Sequence, residues 1–223
     1  MVLTSSIVAM YGDAVDIEGY PGRILTETCW NTTSSAGHQP YPYSKTLAEK
    51  EAWRLAAKQR RWDLVTINPA MIVGPALGSA PTSESFSTAR MLIDGTARLG
   101  APRLGISAVD VREVAQAHIA AAFLPEARGR YIVSAEDTDL LALAGRLLPR
   151  FGRSFPLPRR PLPGPVLLAM APRVGLTRAY VRRNVGYTVR ADASRSRHEL
   201  GTRYRPVQAS LEEMVEQVLG QRG

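Results

Sequence analysis

A tyrosine and a lysine near the start of a predicted helix have the residue types and the spacing that proton transfer requires. Within "QPYPYSKTLAEKEAW" (39–53), Tyr41 and Lys45 are four positions apart, so on a helix their side chains share one face. Tyr43 is only two positions from Lys45 and points elsewhere. A tyrosine normally titrates at about pH 10, and a neighbouring ammonium group lowers that pKa by stabilising the phenolate. The pair is therefore typical of a general acid–base acting on a carbonyl or alcohol oxygen.

A hydroxyl group beside the tyrosine could hold the same oxygen atom. "MVLTSS" (1–6) predicts the end of a buried strand, with Val2 and Leu3 apolar and polar residues where the strand meets a loop. Ser5 or Ser6, at this strand end, is the natural supplier of the hydroxyl. Tyr-x-x-x-Lys pairs also arise by chance in surface helices, so the surrounding segments must separate a catalytic helix from an ordinary one.

Predicted strands and helices alternate along the chain. The first helix spans about 42–59, and its apolar residues repeat at helical spacing: Leu47, Ala48, Ala52, Leu55 and Ala56. "WDLVTINPAMIVGP" (62–75) predicts one buried strand and "GRYIVSA" (129–135) another. Asp110 is the predicted N-cap of a helix that follows a short extended piece. Further helices are predicted at about 83–94, 139–150, 165–171 and 211–219. This alternation predicts a parallel α/β sheet.

Composition limits the class of protein. The 223 residues, 45% apolar and 22% charged, are ordinary for a soluble globular domain. The formal net charge of +8 comes almost entirely from arginine, and without a nucleic-acid motif it indicates a solvated basic face. Cys29 is the only cysteine, which excludes an internal disulfide and favours the cytoplasm. The longest apolar stretch (164–172) is too short to span a bilayer, and the three histidines lack metal-ligand spacing.

Several segments in a fixed order carry a family resemblance. "LTSS", "TETCW", "YPYSKTLAEKEAW", "INPAMIVGP" and "VDVREVAQAHIAA" follow one another, and "DASRSRHELG" precedes the last helix. This succession resembles the extended short-chain dehydrogenase/reductases, and within them the dihydroflavonol-reductase-like and cinnamoyl-CoA-reductase-like group. The resemblance covers nearly the whole chain, and "ETCW" and "SKTLAEKEAW" are the segments most specific to the group.

The resemblance implies a role for each candidate catalytic residue. Tyr41 matches the family's catalytic acid–base, and Lys45 matches the lysine that lowers its pKa and binds the nicotinamide ribose. Ser6 matches the serine that holds the substrate oxygen, with Ser5 as the second choice. A proline directly follows Tyr41, where the group usually has a small or apolar residue, and this is acceptable only if the helix begins there.

The resemblance also implies a cofactor, NADP or NAD, with NADPH favoured. Pro69 and Ile72 match the strand-end turn that packs against the nicotinamide, and Ser85 matches a serine that contacts the cofactor. The implied fold is the C-terminal part of a doubly wound parallel, Rossmann-type sheet with a small, mainly helical substrate lobe. Its expected division is 1–135 for the partial Rossmann domain, including a substrate-loop insertion at 76–105, and 136–223 for the lobe and last helix.

The family's Gly-rich turn for the cofactor pyrophosphate has no match in this sequence. Neither G-x-x-G-x-x-G nor G-x-G-x-x-G follows a predicted strand. The chain is expected to start near the family's fifth strand, which would leave the opening strand as an open sheet edge that invites aggregation or pairing. We therefore expect this chain to fold poorly or to bind NADPH weakly.

Three hypotheses for the function follow. The first is an NAD(P)-dependent oxidoreductase that transfers hydride between nicotinamide and an aldehyde, ketone or alcohol, without nucleic-acid or membrane partners and with a homodimer as one option. The second is a sugar-nucleotide epimerase or dehydratase, or a 3β-hydroxysteroid dehydrogenase. The third is an inactive remnant or an interaction module that uses its open edge.

Overall fold

The computed structural model describes residues 1–78 and 83–220, which form two three-stranded sheets flanked by helices. The first sheet is entirely parallel, in the order β1 (Val2–Thr4), β2 (Val65–Pro69) and β5 (Gly129–Val133). In the second sheet, β4 (Gly105–Asp110) lies between β3 (Met71–Val73), to which it is parallel, and β6 (Glu136–Asp139), to which it is antiparallel. The parallel α/β prediction is confirmed.

The segment 62–75, predicted as one buried strand, forms two strands that belong to different sheets. Pro69 ends β2 because proline has no N–H to continue the ladder. The N–H of Ala70 still donates to the Val133 carbonyl at 3.0 Å, after which the chain leaves β5 and pairs with β4. The strand β6 escaped prediction because its sequence, "EDTD", has no apolar alternation.

The predicted helices are confirmed within a few residues at their ends. They are α1 (Pro40–Ala56), α2 (Glu84–Ile93), α3 (Val111–Phe123), α4 (Leu140–Phe151), α5 (Gly164–Met170) and α8 (Val207–Gly220). Asp110 is the N-cap of α3, as expected, and accepts a hydrogen bond from the Arg112 N–H. Two short helices, α6 (Arg178–Asn184) and α7 (Ser194–Glu199), were not predicted. No helix in the described ranges is long and apolar enough to cross a membrane.

The two faces of the first sheet have opposite character. Along β2, Val65 and Ile67 point into an apolar core with Val114 and Ala117 of α3. Thr66, between them, points to the other face and donates to the Glu49 carboxylate of α1 at 3.2 Å. Helices therefore cover both faces of the sheet, as a doubly wound fold requires. Along β2 only the α3 side is apolar, whereas Ile132 of β5 packs on the other face in an apolar cluster with Ile7 and Met10.

The expected apolar face of α1 is wrong. The buried residues of this helix are Pro42, Thr46 and Glu49. Leu47 and Leu55 are each 49% exposed instead. The physical reason is the polar character of the sheet surface below α1, which favours side chains that can make hydrogen bonds.

The C-terminal helix packs into the second core. Apolar side chains of α8 contact those of α2 and α4, beside the second sheet; they include Leu211, Met214, Val215, Phe86 and Leu147. The boundary after residue 135 and the substrate-loop insertion at 76–105 stay predictions, and residues 79–82 of that insertion and 221–223 of the lobe lie outside the described residues.

Candidate active site

The start of α1 places Tyr41 in the first turn of the helix. Gln39 precedes the helix in a left-handed conformation, with φ of 57°, and its carbonyl accepts from the Tyr43 N–H at 3.0 Å. Pro40 and Pro42 both fall in the first turn, where the backbone N–H groups have no intrahelical partner. The proline after Tyr41 is therefore compatible with a helix, because the helix begins there.

Tyr41, Lys45 and Ser6 lie together at the carboxyl ends of β1 and β2. The Lys45 Nζ is 6.0 Å from the centre of the Tyr41 ring, and the Ser6 side chain lies close enough to Tyr41 to lower its pKa. Ser6 is the second residue after β1 and caps a short turn by accepting from the Val8 N–H at 3.4 Å. Tyr41 is 54% exposed, so part of its ring and hydroxyl faces open space.

The other predicted serine, Ser5, points away from Tyr41. Its side chain is buried and donates a hydrogen bond to the Glu49 carboxylate. Of the two serines at this strand end, the structure thus brings only Ser6 to the tyrosine.

The pKa of Tyr41 differs from the expectation based on spacing. Burial of the ring raises this pKa, the negative charge of Glu84 raises it further, and only the nearby Ser6 side chain lowers it. The expected lowering by Lys45 is therefore wrong for this structure. Its ammonium group lies beside the ring, whereas the first residue of α2, Glu84, contributes the charge to which the phenol responds.

The predicted cofactor residues occupy two different surroundings. Pro69 is buried at the end of β2, and the preceding Asn68 donates from Nδ2 to the Ser6 carbonyl at 3.1 Å, which holds the two strand ends together. Ile72 lies in β3, half-buried against the apolar core below α3. Ser85 is the second residue of α2 and half-buried, next to Glu84.

Two further tyrosines, missed by sequence reasoning, lie near this site. Burial raises the pKa of Tyr180 in α6, and the charges of Glu84 and Asp13 raise it further. Burial also raises the pKa of Tyr11, which in turn senses Tyr180. Glu84 thus acts on both Tyr41 and Tyr180, which places both phenols near the start of α2. Neither tyrosine belongs to a sequence motif that could have identified it.

A buried carboxylate links the lobe to the start of α1. Burial alone would raise the pKa of Asp13, but hydrogen bonds from four side chains hold that pKa at about 2; the donors are His38, Arg183, Asn184 and Gln39. The His38 Nε2 is 2.7 Å from one Asp13 oxygen, and the Asn184 Nδ2 is 2.7 Å from the other. Because Gln39 directly precedes α1 and Asn184 ends α6, this cluster fixes the lobe beside the tyrosine.

The described residues contain no group of three or more His, Cys, Asp or Glu side chains that could hold a metal ion.

The chain is similar to plant reductases in sequence. It is 33% identical over 162 residues to cinnamoyl-CoA reductase 1 of Arabidopsis thaliana, an alignment that covers 72% of this chain and 45% of the relative. It is also 33% identical over 162 residues to anthocyanidin reductase ((2S)-flavan-3-ol-forming) of Vitis vinifera, covering 68% and 47% of the two chains. The chain therefore spans about half the length of the curated relatives that it matches. No family model matches it.

Solved structures of reductases share the fold. The yeast methylglyoxal/isovaleraldehyde reductase Gre2, complexed with NADPH, superposes with a TM-score of 0.76 at 22% identity, over 100% of this chain and 64% of that one. Vestitone reductase from alfalfa gives a TM-score of 0.72 at 19% identity, over 99% and 64% of the two chains. Together, the sequence relatives and this Rossmann-type fold show that the chain belongs to the extended short-chain dehydrogenase/reductases, in the dihydroflavonol-reductase-like and cinnamoyl-CoA-reductase-like group.

Proposed function

We propose that the protein is an NAD(P)-dependent oxidoreductase that reduces the carbonyl group of a small aldehyde or ketone, with NADPH as the favoured cofactor. The observation that carries this proposal is the proximity of the Ser6 side chain to Tyr41, with Lys45 on the same helix face as Tyr41. The names of the relatives support it, since they are reductases of cinnamoyl-CoA and of anthocyanidin, and the Gre2 structure contains NADPH.

The residues at this site fit the nicotinamide end of such a cofactor. Within residues 1–78 and 83–220, Lys45 forms no ion pair with a carboxylate, so its ammonium group is available to ribose hydroxyls. Tyr41 can share that contact, and Pro69 at the end of β2 and Ile72 in β3 are the candidates for an apolar contact with the nicotinamide. Ser85 is the remaining candidate for a cofactor contact. When bound, the nicotinamide supplies the hydride that reduces the carbonyl carbon.

The protein's own residues handle the substrate oxygen. Ser6 donates a hydrogen bond to the carbonyl oxygen and orients it. The Tyr41 hydroxyl donates its proton to the same oxygen, which yields the alcohol and leaves a phenolate. The phenol of an ordinary tyrosine is already protonated at neutral pH, which is the form needed for reduction, and the surroundings of Tyr41 raise its pKa further.

Tyr41→Phe tests this assignment because it removes the hydroxyl and keeps the ring. We expect turnover to fall about 100-fold or more, since the lost group is the general acid. The measurement is the consumption of NADPH with methylglyoxal or isovaleraldehyde as the carbonyl compound, together with the thermal unfolding curve. Tyr43→Phe, on another face of α1, is the matched control and should keep its activity. Full activity of Tyr41→Phe would refute the proposal.

The second hypothesis, an epimerase or dehydratase, has weaker support. A nucleoside-diphosphate-sugar epimerase from Pseudomonas aeruginosa superposes with a TM-score of 0.73, but its 17% identity indicates a shared fold only. An epimerase recycles a tightly held cofactor, whereas a reductase consumes NADPH in proportion to product.

A homodimer also stays a prediction, and the half-exposed Leu47 and Leu55 on α1 are the surface that would support it.

A further inference from the structure

One buried carboxylate connects the candidate catalytic helix to all three strands of the first sheet. Glu49 of α1 is fully buried and carries no exposed side-chain atom. It accepts from Ser5 at the end of β1, from Asn68 Nδ2 of β2 at 2.8 Å and from Arg130 Nε of β5 at 2.6 Å. Thr66 of β2 donates to it as well, at 3.2 Å. The donors bind both oxygen atoms, so the carboxylate is held in one orientation.

Arg130, the ion-pair partner of Glu49, also contacts an aromatic ring and two backbone carbonyl groups. The Arg130 guanidinium stacks on the Trp30 ring, with 3.9 Å between its central carbon and the ring centre. Its Nη1 donates to the Glu27 carbonyl at 2.8 Å and also to the Cys29 carbonyl. The charged pair thus anchors the segment 27–30 as well as α1. Hydrogen bonds at several fixed angles make the guanidinium a rigid support rather than a mobile charge.

Two of the proposed catalytic residues, Lys45 and Ser6, lie next to residues that contact this pair or belong to it. Lys45 is four positions before Glu49, so the two side chains lie on neighbouring turns of one helix face. Ser6 directly follows Ser5, and its carbonyl accepts from the same Asn68 side chain that donates to Glu49. Movement of the Glu49 side chain would therefore displace Ser6 and Lys45 together.

We propose that Glu49 and Arg130 are positioning residues that set the separation between Ser6 on the first sheet and Tyr41 on α1. This inference rests on the proposed function, which it deepens. The pair contributes a defined geometry more than net stability, because the cost of burying two charges largely cancels their attraction. An apolar contact at this place would attach α1 equally well, but it would not fix the helix along its own axis.

Glu49→Gln and Ser5→Ala test the inference through kinetics. In Glu49→Gln, the new amide NH2 group faces side chains that already donate hydrogen bonds, such as Asn68 and Arg130. Ser5→Ala removes only the hydrogen bond between the end of β1 and Glu49, and it should leave the fold intact. We expect kcat to fall about 10–100-fold in Glu49→Gln and in the same direction in Ser5→Ala, since displacement of a catalytic group by about 1 Å has effects of this size. The KM for NADPH should change by about twofold or less in Ser5→Ala, because Thr66, Asn68 and Arg130 still hold Glu49 there. In Glu49→Gln this KM should rise as well, because displacement of α1 moves Lys45 away from the ribose.

Glu113→Gln is the matched control. Glu113 lies on α3, across the sheet, is also buried, and pairs with Arg205 at 2.6 Å. This variant should lose thermal stability to an extent similar to Glu49→Gln but keep its kcat. Equal losses of kcat in the two Glu→Gln variants, or an unchanged kcat in both Glu49→Gln and Ser5→Ala, would overturn the inference.

A spectroscopic measurement keeps this test independent of the proposed activity. In protein labelled with 13C-tyrosine, the Tyr41 ring signals are identified by their absence in Tyr41→Phe. We expect Glu49→Gln and Ser5→Ala to shift these signals in the direction that Ser6→Ala shifts them, because all three variants loosen the Ser6–Tyr41 contact. Lys45 and Glu84, the charged groups near Tyr41, are unchanged in these proteins. If wild-type protein shows no turnover, the proposed function fails, while unmoved Tyr41 signals would refute the positioning role separately.

Discussion

The surroundings of Tyr41 raise its pKa, although Lys45 on the same helix lies beside the ring. Burial of the ring and the charge of Glu84 both disfavour the phenolate, and Ser6 offsets them only in part. The spacing to Lys45 was visible in the sequence, but the influence of Glu84 was not. Glu84 lies on a different helix, and its approach to Tyr41 depends on how α2 folds back over the strand ends.

Glu84→Gln should lower the pKa of Tyr41 because it removes a negative charge that opposes the phenolate. If Tyr41 acts as the acid, the rate of carbonyl reduction falls on the alkaline side as the phenol loses its proton. We therefore expect the alkaline limb of the pH–rate profile to move to lower pH in Glu84→Gln. The profile of kcat against pH, measured beside that of wild type, checks this shift.

Ser6→Ala should shift the alkaline limb of the same pH–rate profile in the opposite direction. Its hydroxyl lowers the pKa of Tyr41, so its loss should move the alkaline limb upward, in addition to slowing the reaction. Shifts of the same sign in the two variants would contradict this account of the Tyr41 environment.

Among the elements, α1 shows where sequence patterns succeed and where they fail. Its position, its first turn and its termination were predictable from proline placement and helical spacing. Its buried face was not, because apolar periodicity assumes an apolar partner surface. The strand below presents Thr66 and Asn68, whose contacts with Glu49 depend on residues distant in sequence. The division of 62–75 into β2 and β3 was equally hidden, since both halves are apolar and buried.

Gly74, directly after β3, is a position where only glycine fits. Its φ is +113°, and a Cβ there would lie 3.0 Å from Asp110 Oδ2 and 3.2 Å from Val111 Cγ1. The Asp110 carboxylate cannot easily move aside, because it caps α3 and pairs with Arg112. Gly74→Ala should therefore lower the free energy of unfolding by about 1–3 kcal/mol. Denaturant titration measures this change.

Gly145→Ala is the control, for which we expect a change in the free energy of unfolding in the opposite direction. Gly145 lies inside α4, and a Cβ at this position meets no atom within 4 Å. Alanine in a helix interior is favoured over glycine by about 0.5–1 kcal/mol, so this variant should be more stable than wild type. If both glycine variants changed stability in the same direction, the strain assigned to Gly74 would be wrong.

For the molecule as a whole, the contacts available to a cofactor are concentrated at its nicotinamide end. Tyr41 and Lys45 are the proposed ribose contacts there, and the sequence has no G-x-x-G-x-x-G turn for the pyrophosphate. We expect reduced nicotinamide mononucleotide and NADPH to bind this chain with affinities within about tenfold, or 1.4 kcal/mol, of each other. Calorimetric titration with both ligands, and with Lys45→Ala as the control, measures the difference. NADPH affinity in the micromolar range, well above that of the mononucleotide, would contradict the expectation.

The arrangement of the whole chain was the part least accessible to sequence reasoning. The alternation of strands and helices indicated a parallel sheet, yet it could not show that β3 and β4 form a second sheet with antiparallel β6. Long-range hydrogen bonds, such as those from Asn184 to Asp13, join segments far apart in sequence and leave no local pattern. The order of the family's motifs did indicate the site, because those motifs contain Ser6, Tyr41 and Lys45, which come together only in the folded protein.

The polar contact between α1 and its sheet also has a consequence for temperature. Charged groups become easier to dehydrate as temperature rises, so the cost of burying Glu49 and Arg130 falls on warming. Apolar contacts show no such gain, and the buried face of α8 consists mainly of apolar side chains. Warming therefore favours the attachment of α1, the helix that carries Tyr41, over the attachment of the C-terminal helix α8. On heating, α8 should separate from its sheet first and α1 later.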